Sequence, residues 1–128
     1  MSAYLLDTHA AIWFFNGDTR LSGTARQIIC DSSNPVYLSI ASAWEVAIKL
    51  RIGKLDIDGS TADFIQDVEA NSIVIFPIKP THLSVLETLP MIHRDPFDRL
   101  LMATALAEEM MLITGDESIA RYKVSQIW

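Results

Sequence analysis

The sequence predicts an α/β fold in which a parallel sheet is covered on both faces by helices, with residues 1–128 forming a single domain. Three observations carry this prediction. Short apolar runs alternate with stretches of helical periodicity along the whole chain. The runs are unbroken rather than alternating, the pattern of strands buried on both faces, and the helices between them supply the crossovers that parallel strands need. Half of the residues are hydrophobic and the mean hydropathy is positive, so the 128 residues suffice for one core and exclude a disordered chain.

The elements follow in order. Residues 3–6 (AYLL) read as a strand ending at Asp7, followed by a short apolar helix over 9–15. Residues 22–31 suit a second helix with Ser22 as its cap. Residues 36–39 (VYLS) form the second strand. A helix over 41–52 places Ile40, Trp44, Ala47 and Ile48 on one apolar side and is closed by Gly53. Residues 60–70 form a helix capped by Ser60, and residues 73–76 (IVIF) a third strand stopped by Pro77. A short helix spans 81–88 and a longer one 96–109. Residues 111–114 (MLIT) are the fourth strand, leading into Gly115-Asp116, and 124–127 supply a fifth.

Composition narrows the function. Cys30 is the sole cysteine, so an internal disulfide and a thiolate zinc cluster are both excluded and a reducing compartment is favoured. The N-terminal run MSAYLLDTHAAIWFF carries Asp7 and His9 and has no basic leader, so it does not read as a signal peptide. No stretch reaches the roughly 18 apolar residues of a membrane span. The expectation is a cytoplasmic protein without a membrane partner. A net charge of −6 excludes a protein whose whole surface grips nucleic acid, unless the acidity is concentrated where something positive neutralises it.

The acids have two readings each. In HRDPFDRLLMATAL, Pro96 fits the first helical position, Asp95 the N-cap, and Asp98 falls three residues later, close to a capping box at the positive end of the helix dipole. Ser42 and Glu45 also have capping-box spacing, and Glu45 and Lys49 are an i,i+4 pair. Yet Glu45 lies at the margin of the apolar stripe, where a carboxylate without a partner is costly. Asp7 interrupts the apolar run LLDTHAAIWFF at a strand end, and Asp116 sits just past another; each also suits a cap or turn. Asp7, Glu45, Asp98 and Asp116 come from four separate segments, and a parallel sheet binds ligands at the carboxyl ends of its strands. Carboxylates gathered there raise one another's pKa, a cost that a hard cation relieves, and oxygen ligands suit Mg²⁺ or Mn²⁺.

LLDTH, the spacing S-x-x-S-x-W-E-x-x-x-K from Ser39 to Lys49, HRDPFDRLLMATA and LITGD together resemble the PIN-domain family, and within it the VapC-like toxins of bacterial toxin–antitoxin modules. The resemblance covers essentially the whole chain, in order and spacing. It implies a three-layer α/β/α sandwich with a mainly parallel central sheet of four to five strands. It implies a Mg²⁺- or Mn²⁺-dependent endoribonuclease whose catalytic and metal-binding acids fall on Asp7, Glu45, Asp98 and Asp116. Asp95 corresponds to an auxiliary acid or cap, and Thr114 and Ser39 to hydroxyls near the site. The resemblance further implies a homodimer and a cognate antitoxin.

On this reading Asp7, Asp98 and Asp116 hold the metal, Glu45 ligates a second ion or orients the attacking water, and the products carry 5′-phosphate and 3′-hydroxyl ends. Lys49, Arg94 and Arg99 flank the acids and are the candidates for contacts to RNA phosphates, extended by Arg51 and Lys54; solubility or local ion pairs are the competing role. His9, His82 and His93 lack a ligand spacing and read as surface or packing residues. Trp13, Phe14 and Phe15 read as core, with a dimer or antitoxin groove as the alternative. A receiver-like phosphoacceptor is disfavoured because Lys79-Pro80 follows the third strand rather than the last and Asp7 stands alone after the first. A non-catalytic interaction module with the same fold is the other alternative.

Overall fold

The structure, a computed structural model describing residues 2–128, orders its elements as β1 (Tyr4–Leu6), α1 (Thr8–Asn16), α2 (Gly23–Cys30), β2 (Val36–Ser39), α3 (Ile40–Arg51), α4 (Thr61–Ala70), β3 (Val74–Phe76), α5 (Pro80–Thr88), α6 (Pro96–Glu108), β4 (Met111–Ile113), a 3₁₀ helix (Glu117–Arg121) and β5 (Gln126–Ile127). The strands form one sheet in the order β3-β2-β1-β4-β5, and every pairing among the described residues is parallel.

The strand sequences explain the layers. Leu5 and Leu6 are both fully buried, but they point to opposite faces. Leu5 is in register with Leu112, and both belong to the core under α5 and α6, with Leu101, Met102 and Ile119. Leu6 is in register with Leu38 and Ile113, and all three belong to the core under α1, α2, α3 and α4, with Ala10, Val46, Phe64 and Val68. Unbroken apolar strands therefore serve two cores at once, as a three-layer α/β/α sandwich requires. Trp13, Phe14 and Phe15 are half-buried and pack against the second of these cores. No helix of the described residues is long and apolar enough to cross a membrane.

From β1 the chain moves outward through β2 to β3, then returns to the other side of β1 for β4. The strand order thus reverses between β1 and β4, which opens a crevice at their carboxyl ends.

Helix α3 departs from expectation. It begins at Ile40 rather than 41, and its N-cap is Ser39, whose Oγ accepts the N–H of Ala41 at 3.0 Å. Ser42 is therefore not a cap but lies buried in the first turn, accepting a hydrogen bond from Thr8 Oγ1 at 3.0 Å, and the Ser42–Glu45 capping box does not exist. The stripe expected to face the core faces outward: Ile40, Trp44 and Ile48 are 39%, 59% and 39% exposed. The buried face is Ala41, Ser42, Ala43, Glu45 and Val46. That face packs against α1 and α6 and is built mostly of small side chains, while the large apolar ones point away. Trp44 instead meets Phe97 of α6 edge-on, with ring centroids 5.1 Å apart.

Smaller differences lie at element ends. The third strand starts at Val74, since the Ile73 N–H is taken by Val68 O at 3.2 Å. Helix α6 stops at Glu108 because Glu109 adopts a left-handed conformation. The 3₁₀ helix after Asp116 was not anticipated, and the terminal strand is limited to Gln126–Ile127.

Candidate functional site

Each of the four acids is placed by the way its strand ends. Asp7 follows β1 directly and caps α1: its Oδ1 accepts the N–H of Ala10 at 2.6 Å. Asp116 follows β4 by way of Thr114 and Gly115, and its Oδ1 accepts both the N–H of Ser118 at 2.9 Å and the Ser118 hydroxyl at 2.7 Å. These two flank the point where the strand order reverses. Ser39 ends β2 and starts α3, which brings Glu45 in over the same edge. Asp95 caps α6, with Oδ1 accepting the N–H of Phe97 at 2.9 Å and more distantly that of Asp98 at 3.4 Å, while Pro96 occupies the first helical position.

The capping accounts for Asp7, Asp95 and Asp116 in part, but not for Glu45 or Asp98. Glu45 is 3% exposed. Its Oε2 pairs with Lys49 Nζ at 2.6 Å, whereas its Oε1 is buried without a hydrogen-bond partner. A buried carboxylate oxygen left in that state is costly unless something positive meets it. Asp98 makes no cap bond with its own side chain. Burial, then the Asp95 charge, push its carboxyl up to about 7; His93 opposes this, and the charges of Asp7 and Glu45 add to it. Burial likewise raises Asp7, against the Thr114 hydroxyl and the Ala10 N–H, with Asp116 adding to the rise. Burial works to raise Asp116 too, but the bonds from Ser118 and His93 together hold it below the ordinary aspartate range. These mutual effects mean that the four carboxyls share one electrostatic environment.

His93, read from the sequence as a surface or packing residue, is instead at the centre of the cluster. Its Nδ1 accepts the N–H of Asp95 at 3.2 Å, which leaves Nε2 as the protonated nitrogen. Nε2 then lies 3.1 Å from Asp98 Oδ2 and 3.2 Å from Asp116 Oδ2. One donor atom from each of His93, Asp98 and Asp116 falls within a 4.8 Å span. The only sequence signal for this was that His93 stands two residues before Asp95. Among the other histidines, His82 is buried, with Nε2 2.8 Å from Glu108 Oε2, and His9 is exposed.

The basic residues divide. Arg94 is exposed beside the cluster. Lys49 is occupied by Glu45, matching the local-ion-pair alternative. Arg99 departs from the expected phosphate contact: it is 8% exposed and turned into the protein. Its Nη1 donates to Pro90 O at 2.8 Å and, at 3.4 Å, to His93 O and Tyr122 Oη; its Nη2 donates to Leu89 O at 3.3 Å. The loop 89–95 has backbone carbonyls but no helix or strand to pair them, and a five-donor guanidinium satisfies several at once. Tyr122 Oη completes the arrangement by accepting the N–H groups of Ile92 at 3.1 Å and His93 at 2.7 Å and donating to Pro90 O at 2.9 Å. No pattern in the sequence pointed to Tyr122.

Oxygen donors, partial burial and an unpartnered Glu45 Oε1 are what a hard divalent cation takes up, so the residues present fit such an ion.

Comparison with known proteins points one way. Residues 4–124 match the family model described as PIN domain. The chain is 27% identical over 124 residues to ribonuclease VapC22 of Mycobacterium tuberculosis, covering 96% of this chain and 94% of that protein. Among solved structures, VapBC2 from Rickettsia felis bound to a promoter DNA fragment superposes with a TM-score of 0.73 at 14% identity, covering 98% of this chain and 97% of that one. A toxin–antitoxin complex from Klebsiella pneumoniae gives a TM-score of 0.64 at 20% identity over 99% of this chain and 97% of that one. The two structural likenesses speak for the fold.

Proposed function

The chain belongs to the PIN-domain family, and from that premise we propose that it is a metal-dependent endoribonuclease, the toxin of a toxin–antitoxin pair. The observation that carries this reading is the state of Glu45 and Asp98. Capping explains an acid at positions 7, 95 and 116, but it gives no reason for a buried Glu45 with a free Oε1 or for a half-buried Asp98 pushed up to about 7. A cation resolves both.

In this proposal Asp7, Asp98 and Asp116 hold Mg²⁺ or Mn²⁺, and Glu45 either takes part in holding it or orients the attacking water. The bound ion supplies a water of lowered pKa and stabilises charge on the phosphoryl oxygens. Asp95 positions the α6 N-terminus, and Thr114 steadies Asp7 and, through its hydroxyl, the Asp116 N–H at 3.1 Å. Ser39 fixes the start of α3 and so the height of Glu45 over the edge. Arg94, with Arg51 and Lys54 further along, is exposed and meets the RNA backbone. Attack by water, rather than by the ribose 2′-hydroxyl, leaves 5′-phosphate and 3′-hydroxyl ends.

The partner reading follows the similar proteins, a VapC ribonuclease and VapBC or toxin–antitoxin complexes. By analogy this chain acts on RNA in the cytoplasm, pairs with a cognate antitoxin and forms a homodimer, all within one PIN domain.

The test is cleavage of pooled cellular RNA by purified protein in Mg²⁺, in Mn²⁺ and in EDTA, beside Asp7→Asn prepared identically. Metal-dependent cutting that Asp7→Asn loses is the expected result. Fragments ending in 2′,3′-cyclic phosphate would contradict water as the nucleophile. Absence of cutting by folded protein freed of any inhibitor would favour a non-catalytic interaction module, the role that the capping bonds of Asp7 and Asp116 already suit.

A further inference from the structure

Beside the acids lies an open cleft of about 430 Å³ in whose lining Asp7 and Asp116 are joined by His9, Trp13 and Trp128, with Arg20 and Gly115. We propose that this cleft is a nucleobase subsite, seating one unstacked base of a single-stranded RNA next to the phosphate presented to Asp7 and Asp116. The inference rests on the nuclease reading for its substrate.

The walls are π surfaces held in place. Trp13 and Trp128 meet edge to face, with centroids 6.0 Å apart, and His9 lies 5.7 Å from Trp13. Arg20 also lines the cleft, its guanidinium 4.9 Å from the Trp13 ring and paired with Asp18 at 2.7 Å. The indole of Trp128 rests directly on the backbone after β4: a Cβ at position 115 would come within 2.7 Å of it. Glycine at this position therefore lets an aromatic wall stand two strand ends from Asp7. Both indoles are half-buried, so ring surface remains for a ligand.

A base is the ligand that matches. It is planar and stacks on indole and imidazole, and base–aromatic stacking is how single-stranded nucleic acid is gripped without sequence-specific charge contacts. This chain has particular need of such a grip. Its net charge is −6, Lys49 and Arg99 are engaged internally, and Arg20 at the cleft is paired with Asp18. Stacking adds a hold that does not depend on free cations. A base already unstacked enters such a cleft at least cost, so the subsite selects loops and single strands over duplex.

The test uses the full chain and a fluorescein-labelled single-stranded RNA dodecamer of random sequence, with Ca²⁺ in place of Mg²⁺, and as control an abasic ribose-phosphate dodecamer of equal charge. Trp128→Leu keeps apolar bulk and removes stacking; Trp128→Phe restores a ring; thermal melts check that each is folded. The expected result is a roughly five- to hundredfold weaker RNA affinity in Trp128→Leu, little change toward the abasic chain, and partial recovery in Trp128→Phe. His9→Ala, at an exposed position, gives a smaller loss and keeps the test alive if Trp128→Leu does not fold. Unchanged RNA affinity in Trp128→Leu, or in His9→Ala should it alone fold, would overturn the subsite. Unchanged RNA affinity with loss of binding to the purified cognate antitoxin would overturn it too, and give the cleft to a protein side chain. The two readings fail separately. Base-dependent binding that Trp128→Leu removes, without cutting in Mg²⁺ or Mn²⁺, keeps the subsite and sinks the nuclease. Normal cutting with unchanged affinity does the reverse.

Discussion

Asp98 makes the stability of the metal-free protein depend on pH in an unusual sense. Its carboxyl stands at about 7 in the folded chain against 3.8 ordinarily. The folded state therefore holds a proton that the unfolded state has released between these two values. Stability from this group is fully present below pH 3.8 and is lost as pH rises through about 7. At about 1.4 kcal/mol per pH unit of displacement, the loss has a ceiling of about 4.5 kcal/mol, lowered in practice because Asp98 keeps some solvent contact. For a chain of this size that is on the order of 10 °C in melting temperature. Asp7, raised by burial, acts in the same direction. The assay is thermal and urea unfolding in EDTA at pH 4.5, 6 and 8, for the natural chain and Asp98→Asn. The natural chain should lose stability between pH 4.5 and about 7 and level off above that. Asp98→Asn should be the more stable protein at pH 8 and show a much flatter profile. Divalent metal, which replaces the proton, should restore the natural chain at pH 8 by about 2.7 kcal/mol at a hundredfold excess over its Kd, and restore Asp98→Asn less. A natural chain equally stable at pH 4.5 and 8, or an Asn variant with an undiminished slope, would refute the reasoning.

Other outcomes follow from the same geometry. Glu45→Gln should stay folded yet bind Mn²⁺ more weakly, by about 10- to 100-fold in calorimetry, because a buried oxygen that a cation would meet loses its charge. Arg99→Lys should lower stability by about 2–3 kcal/mol in urea unfolding, since an ammonium cannot reach the several carbonyls that the guanidinium now satisfies; an unchanged midpoint would return Arg99 to the surface. Arg94→Ala, at an exposed position, should leave the midpoint alone and reduce the salt dependence of RNA binding by about 0.7 in the log–log slope, measured by anisotropy. Leu101→Ala, in the core under α5 and α6, should cost about 2–5 kcal/mol.

The layering of the fold was legible because parallel strands leave unbroken apolar runs, and Leu5-Leu6 and Leu112-Ile113 are such runs. The meeting of Asp7 and Asp116 at one edge was legible for a related reason: both follow strand ends, and parallel strands all end on one side. Periodicity misled at α3, where Ile40, Trp44 and Ile48 have helical spacing yet face outward. Spacing tells that residues share a face, but not which face is covered; that depends on how near α1 and α6 approach. His93 and Arg99 were misread because their roles depend on a loop without regular structure. Nothing in local sequence announces that Tyr122, 29 residues from His93, caps that loop's backbone.

The capping of Asp7 and Asp116 has an evolutionary consequence. Each carboxyl gives one oxygen to backbone N–H groups, a duty that an amide oxygen performs as well. A single exchange of Asp for Asn at either position therefore removes charge while sparing the scaffold. Copies lacking either charge lie one substitution from the natural chain, with the capping bonds kept. Loss of charge at the edge and loss of the fold are therefore separable, and selection can act on one without touching the other.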